Sequence, residues 1–461
     1  MSFGDVRRVA IVGGGVTGLT VAYRVVHADP SIEVTVLEAG PIPGGKLRSV
    51  AVGDLVLPAG ADSFLARKPW AVELCKELDV SLDPPGATGA YLWTEGGLVP
   101  LLKHAPFGIP GDVGDLFHWP GLSGAGKRRA AQDLVRRARK GDDDESLGSL
   151  LRRRFGDEAT DLAVGPLLAG LYAGDVDRLS VRATFPDLVA WERAQGSLFR
   201  GSQATSKLAR RSQLGPMFVR PKGGVDRLTD ALAEHLGERV RTGVAVTAVD
   251  RGRVMLDGGA TVETDAVVLA TPAHEAARLL GAALPSVAAD LAGITYASTG
   301  VVLMVYPDGT QPSLPTGTGF VVPRGKAPMT AATWLSSKWP DESYGTRAVV
   351  RCYVGAVGEE DVLDADDSDI VQACARHLAA VVRLPDMPEH STIVRWPASM
   401  PQYDVGHLDR VARIRDCLPP GVVVVGQAYD GVGVPDCVHA ASDVAEQLVA
   451  DVSTDREETV P

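Results

Sequence analysis

Apolar positions change period several times along the chain, and each change marks an element. Val6 to Val12 is a short apolar run, the pattern of a buried strand. Gly13-Gly14-Gly15 interrupts it. From Val16 the period becomes helical, with Leu19, Ala22, Tyr23 and Val26 at i, i+3, i+4 and i+7. Asp29-Pro30 stops that helix, and Glu33 to Glu38 reads as a second strand. A strand, a helix and a strand in this order form a βαβ unit and imply a parallel sheet.

The pattern from 105 to 210 differs. Gly126 to Lys140 reads as a basic amphipathic helix with Ala131, Leu134, Val135 and Ala138 on one side. Asp142-Asp143-Asp144-Glu145 precedes a helix carrying Leu147, Leu150 and Leu151, which ends on Arg152-Arg153-Arg154; this charge order suits the helix dipole. Strand patterns return at Val244 to Val249, Arg253 to Leu256, Ala266 to Ala270, Gly300 to Tyr306, Ala348 to Val354 and Val422 to Val425. A last helix is expected from about Val438, and Ser453 to Pro461 is polar enough to fray.

Composition narrows the classes. The chain has 461 residues, 45% hydrophobic and 23% charged, which suits a globular protein of several domains. A net charge of −12 argues against nucleic acid as a partner. The five cysteines are scattered and include no Cys-x-x-Cys, so neither a disulfide framework nor a zinc ribbon is expected. No secretory leader pattern precedes Arg7-Arg8, and no run approaches the roughly 20 apolar residues of a membrane span, so a cytoplasmic setting is expected. The basic segment Gly126 to Lys140 leaves peripheral membrane contact open. His104, His118, His407 and His439 show no metal-ligand spacing, and no metal is expected.

The chemistry begins at Gly13-Gly14-Gly15-Val16-Thr17-Gly18, which satisfies G-x-G-x-x-G between strand and helix. Gly13 permits a tight turn, Gly15 lets the backbone approach a pyrophosphate, and Gly18 lets helix and strand pack closely. The helix start offers unpaired N–H groups to phosphate. Glu38 lies 20 residues past Gly18, at the end of the second strand, where a carboxylate accepts ribose hydroxyls and repels a 2′-phosphate. A second glycine turn, Gly40 to Lys46, follows at once and suits a chain that keeps wrapping a long cofactor; this favours FAD over NAD. Lys46 reads either as a charge for the cofactor or as a solvated loop lysine.

Together with Gly44-Gly45-Lys46, these residues resemble the start of the flavin amine oxidase and porphyrinogen oxidase superfamily. Three later segments resemble the porphyrinogen oxidases, nearest to the Gram-positive type: Gly170-Leu171-Tyr172-Ala173-Gly174-Asp175, Met400-Pro401-Gln402-Tyr403 with Gly406-His407, and Gly426 to Cys437. The resemblance implies that Gly13, Gly14, Gly15, Val16, Thr17, Gly18 and Glu38 hold the ADP half of FAD, and that Ala39, Gly45 and Lys46 also lie at the cofactor. It implies that Gly60, Ala61, Asp62 and Ser63 run past the flavin, with Ala61 where the family usually has proline. It places Val246 at the adenine, Trp396 beside the cofactor, and Val432, Gly433 and Val434 at the flavin's pyrimidine end. Lys68, Leu171 and Tyr172 become candidate substrate contacts. Ala90 stands where some relatives carry an arginine.

The fold so implied is α/β: a discontinuous Rossmann-like FAD-binding domain (1–72, 211–280 and 391–461), a mixed α/β substrate domain (73–104 and 281–390) and a helical insertion (105–210). The implied activity is six-electron oxidation of coproporphyrinogen III in haem biosynthesis, with the hard chemistry carried by the cofactor. Oxygen is the expected acceptor, since no second G-x-G-x-x-G offers NAD(P)H a site, and a ferrochelatase is a candidate transient partner. Three readings stay open beside it: a protoporphyrinogen IX oxidase, a flavin amine oxidase or desaturase, and a non-catalytic flavin-binding carrier. An aromatic content of 5% argues against an amine oxidase's aromatic cage. Asp62 and Asp436 read as loop or cap residues rather than catalytic acids. Cys437 reads as a small buried hydrophobe rather than a covalent flavin link.

Overall fold

The computed structural model describes residues 6–458, apart from 104, 212–214 and 251. His104 and residues 459–461 therefore lie outside the described residues. The amino-terminal run forms β1 (Arg8–Val12), the helical period forms α1 (Val16–Ala28), and the next run forms β2 (Glu33–Leu37). β1 is central in a parallel sheet. β2 and then Val240–Arg241 lie on one side of it, and Ala266–Leu269 and then Val422–Val424 lie on the other. The chain switches direction at β1, so a crevice opens at the carboxyl ends of the strands, where ligands bind in open α/β sheets. Residues 13–18, 38–46, 270–274 and 425–434 all leave the sheet at that edge.

The pattern explains the layering. The strands are buried on both faces, and Ile11, Val36 and Val268 are fully covered. One face packs against α1 and the last helix, Val434–Glu458. The other packs against the helices Ala273–Leu280 and His407–Cys417.

A second sheet of seven strands joins Tyr91–Thr94 and Gly97–Pro100 to strands between 296 and 401. At one edge of this sheet the long strands Tyr296–Val305 and His390–Pro401 pair antiparallel. One face of this sheet buries Val301, Leu303, Val305 and Val349 against the hairpin 49–58. The sheet therefore stands against the loop 59–63 that leaves that hairpin.

The insertion is helical, with a core around Leu147, Leu150, Leu151, Phe155 and Phe199. The expected helix Gly126 to Lys140 is corrected. A helix spans Gly124–Ala131, a single 3-10 turn covers Gln132–Leu134, and Val135 is exposed. The reason is Asp133, which is fully buried. Its carboxylate accepts from Arg154, the Ser197 hydroxyl and the Phe199 N–H, and this pulls the chain out of helical register. Asp142 to Glu145 lie before the next helix, Leu147–Phe155, and Ser146 caps it through the Ser149 N–H. The last helix begins at Val434, four residues earlier than its apolar period implies, and is continuous to Glu458 through most of the segment expected to fray. None of the described helices is long and apolar enough to cross a membrane.

Candidate functional site

The site forms where the chain's two ends meet. Gly13 has φ +108, and a Cβ there would stand 2.8 Å from the Ala270 carbonyl oxygen. A Cβ at Gly18 would stand 2.0 Å from the Gly13 carbonyl oxygen, so only glycine lets α1 lie this close to β1. Gly15 caps α1 without a side-chain bond, and a Cβ there would meet nothing within 4 Å. The space before the helix amino terminus is therefore open to a ligand, as a phosphate site requires.

Glu38 ends β2. Its carboxylate accepts from the Gly14 N–H at 2.7 Å and the Gly40 N–H at 2.6 Å. The Val244 N–H donates to its carbonyl at 2.9 Å, which brings the segment leading to Val246 beside it. Val246 is buried, and its carbonyl accepts from Arg278 at 3.0 Å. Ala39 is exposed. The second glycine turn folds back on the first: the Gly44 N–H donates to the Gly14 carbonyl at 2.8 Å, and Gly45 sits against Gly15.

A cleft of about 310 Å³ runs between Glu38 and Lys46 on one side and His274, Trp396 and Ser399 on the other. Lys46 is no solvated loop lysine. Its ammonium donates to the Ser399 carbonyl and the Gln427 side-chain oxygen, both uncharged. Among the described residues no carboxylate pairs with it, and burial lowers its pKa to about 8. A half-buried cation without a counter-ion, at the edge of an open cleft, suits an anionic ligand.

The loop 59–63 crosses the next part of the cleft. A Cβ on Gly60 would stand 1.6 Å from the Lys46 carbonyl oxygen, so the two segments are in backbone contact. The second sheet and the helix Leu335–Lys338 that follows one of its strands hold this loop with four side chains. Trp396 Nε1 donates to the Ala59 carbonyl at 2.9 Å, and Arg351 to the Gly60 carbonyl. Lys338 and Trp339 Nε1 donate to the Asp62 carboxylate at 2.8 and 3.0 Å. Burial alone would raise the Asp62 carboxyl, but Lys338 and Arg351 hold it well below the usual carboxylate range. Asp62 is thus a committed anion and a loop anchor. Ser63 donates to it at 2.9 Å, and Ala61 is half-buried.

The carboxyl-terminal loop completes the site. A Cβ at Gly426 would stand 3.2 Å from Thr17 Oγ1, so this loop lies directly on the first turn of α1. Val432, Gly433 and Val434 are half-buried, and Val432 packs against the insertion. Cys437 is buried, and its thiol is pushed up to about 11 by burial, so it stays protonated. Lys68 pairs with Asp436 in the first turn of the last helix. Of the two candidate contacts on the insertion, Leu171 is 56% exposed, while the Tyr172 ring is buried against Phe185 and Tyr403. Burial, with the Asp436 carboxylate, raises the Tyr172 phenol. His439 stacks on Trp70 and pairs with Asp443, and among the described residues no cluster suits a metal ion.

Sequence reasoning missed Lys338, Trp339, Arg351, Ser399 and Gln427. Spacing carries no trace of them, because they lie hundreds of residues from what they hold. One signal was present: Arg351 is the lone charge in the apolar run Val349–Val354, and a charge kept there needs a buried partner.

Comparison with known proteins agrees with this geometry. Residues 16–449 match the family described as flavin containing amine oxidoreductase. Coproporphyrinogen III oxidase of Bacillus subtilis (strain 168) is 34% identical over 467 residues, covering 97% of this chain and 98% of that protein. Coproporphyrinogen III oxidase of Staphylococcus aureus (strain NCTC 8325 / PS 47) is 31% identical, covering 97% of this chain and 100% of that protein. The crystal structure of a candidate protoporphyrinogen oxidase from Exiguobacterium sp. 255-15 superposes with a TM-score of 0.85 at 33% identity, covering 97% of this chain and 99% of that one. The open space at Gly15, the Glu38 carboxylate at the end of the glycine turn and the Lys46 ammonium are compatible with FAD. The chain therefore belongs to the flavin-containing amine oxidoreductase family, on its coproporphyrinogen and protoporphyrinogen oxidase branch, and is an FAD-dependent oxidoreductase.

Proposed function

We propose that this enzyme oxidises coproporphyrinogen III to coproporphyrin III in haem biosynthesis, in the cytoplasm, with oxygen as acceptor and hydrogen peroxide as by-product. One observation carries the reading. Gly426 lies against Thr17 at the start of α1, and Val432 packs into the cluster that holds Tyr172, in a chain that aligns over nearly its full length with coproporphyrinogen III oxidases. When bound, FAD supplies a two-electron acceptor for hydride.

The substrate ring has sp³ bridging carbons, and six hydrogens leave in three two-electron rounds as conjugation closes. Three molecules of oxygen become three of hydrogen peroxide, which balances the electrons. The chain's own part is binding and orientation. Glu38 accepts from the ribose hydroxyls, the α1 amino terminus and Lys46 face the pyrophosphate, and Val246 borders the adenine. Gly60 to Ser63 and Trp396 flank the flavin, and Val432, Gly433 and Val434 receive its pyrimidine end. Leu171 and the Tyr172 segment wall the substrate side. Lys68 meets a propionate by sharing or leaving Asp436. In this reading 1–72, 211–280 and 391–461 hold the cofactor, 73–104 and 281–390 hold the macrocycle, and 105–210 closes over it.

The deciding experiment compares kcat/KM for coproporphyrinogen III and protoporphyrinogen IX by porphyrin fluorescence, with oxygen uptake recorded in parallel. A preference for coproporphyrinogen with about three oxygens consumed per porphyrin is expected. A preference for protoporphyrinogen would overturn the substrate and keep the fold. Peroxide formed from a polyamine alone would make the chain an amine oxidase, and reduced flavin that stays reduced in air would make it a carrier.

A further inference from the structure

Gln402 and Tyr403 follow the strand His390–Pro401, and both are nearly fully buried. Their side chains reach two different loops. Gln402 Nε2 donates to the Tyr172 carbonyl at 2.9 Å and to the Met400 carbonyl at 3.0 Å. The Tyr403 hydroxyl donates to the Gln427 carbonyl at 2.7 Å and accepts the Gly431 N–H at 2.8 Å.

Each contact reaches a part of its loop that other bonds leave uncovered. Gly431 has φ +122 and no side chain of its own, while Asp430 accepts the Gly426 N–H at 3.1 Å at the start of the same loop. In the turn 170–174 the Val357 N–H holds the Ala173 carbonyl at 2.9 Å, Leu171 is exposed, and Gln402 takes the Tyr172 carbonyl. The Tyr403 ring is fixed by its neighbours: His407 stacks on it at 4.0 Å and 12°, and Tyr172 lies at 5.8 Å. Burial and Arg410 lower the His407 pKa to about 4, so the imidazole stacks as a neutral ring. The Ser180 N–H donates to the Tyr403 carbonyl at 2.7 Å, which ties the same residue to the insertion.

We infer that Gln402 and Tyr403 are positioning residues with divided roles. Tyr403 fixes the loop 427–433 on the flavin side, and Gln402 fixes the turn 170–174 on the substrate side. Two consecutive residues thereby set the spacing between electron donor and acceptor. What the two loops touch rests on the proposed function; that the two residues pin them does not.

The test uses FAD-loaded wild type, Tyr403→Phe and Gln402→Met. Tyr403→Phe keeps the ring contacts and loses both hydroxyl bonds. Its FAD dissociation constant, measured by refilling apoprotein, should rise about tenfold, with KM for coproporphyrinogen III changed less than about twofold. Gln402→Met keeps the volume and loses the amide. Its KM should rise about tenfold, with FAD affinity and flavin spectrum unchanged. Parallel losses in both variants, or none in either, would overturn the division. If Tyr403→Phe does not fold, Gln402→Met decides alone: raised KM with unchanged FAD affinity upholds the inference, and any other pair of results overturns it. If wild type fails to turn over coproporphyrinogen III, the proposed function falls and amide exchange judges the inference. Faster exchange at 427–433 in Tyr403→Phe and at 170–174 in Gln402→Met supports it, and shared or exchanged patterns overturn it.

Discussion

Two glycines at the start of α1 separate folding from binding at single positions. Gly18→Ala drives a Cβ into the Gly13 carbonyl and should unfold the apoprotein readily, costing about 2–3 kcal/mol in denaturant melts. Gly15→Ala has extended backbone and open space, so the apoprotein should keep its stability within about 0.5 kcal/mol. The same methyl stands where a pyrophosphate would lie, and FAD affinity should fall at least tenfold, read as about 1.4 kcal/mol. Equal loss of stability in both variants would show that Gly15 serves packing alone. Lys46 makes the same distinction with pH. Its folded pKa is lowered, to about 8, so the ammonium is lost at a lower pH in the folded chain than in the unfolded one. Apoprotein stability should therefore rise as pH passes upward through 8. FAD affinity should fall over the same range as the charge disappears, because phosphate binding favours the protonated form. Lys46→Met should flatten both curves in melts and FAD titrations at pH 7 to 10. The glycine spacing and Glu38 were legible in sequence because they act within one βαβ unit. Lys46 stayed ambiguous there because its partners, Ser399 and Gln427, come from the far end of the chain.

Elements predicted by apolar period are present where burial of one or both faces decided the outcome, as in β1, α1, β2 and Ala266–Leu269. The period misled where a buried charge outranked it. Leu134 and Val135 continue a helical stripe on paper, but Asp133 turns inward to Arg154, and the stripe ends. The same competition governs the loop 59–63, whose course is set by donors from the second sheet and from the helix Leu335–Lys338. Asp62→Ala should cost about 3–5 kcal/mol, because Lys338 is left as a buried charge without its partner. Asp62→Asn should cost less, since an amide oxygen still accepts from Trp339. The linkage has a definite sign. With its folded pKa depressed, Asp62 contributes stability above the unfolded carboxylate range and loses it as pH falls below. Wild type should therefore lose more stability than Asp62→Asn on acidification from pH 5 to pH 3, in melts followed by tryptophan fluorescence. Parallel acid curves would remove Asp62 as the anchor.

At the scale of the whole molecule, the parallel sheet draws strands from residues 8, 33, 240, 266 and 422, and the second sheet interleaves with it in sequence. The class of fold was legible because the βαβ opening and later apolar runs demand a parallel sheet. The pairing of Ala266–Leu269 and Val422–Val424 with β1 was not, since no local pattern encodes contacts over such separations. Interleaving has a thermodynamic consequence. The cleft is lined by the turn after β2, by Pro272 and His274 after the strand Ala266–Leu269, and by Trp396 to Ser399 of the second sheet, so neither sheet can open without dismantling it. Melting of the holoprotein should then be one transition, with flavin release, far-ultraviolet signal and near-ultraviolet signal coincident. FAD at a hundredfold excess over its dissociation constant adds about 2.7 kcal/mol to the folded state. For a chain of this length that should raise Tm by about 3 °C. The insertion reaches the cleft through Val432, Tyr403 and the turn 170–174. If flavin escaped well before either sheet melted, the insertion would be an independent cover, and the coupling assigned to Gln402 and Tyr403 would be too weak to matter for retention.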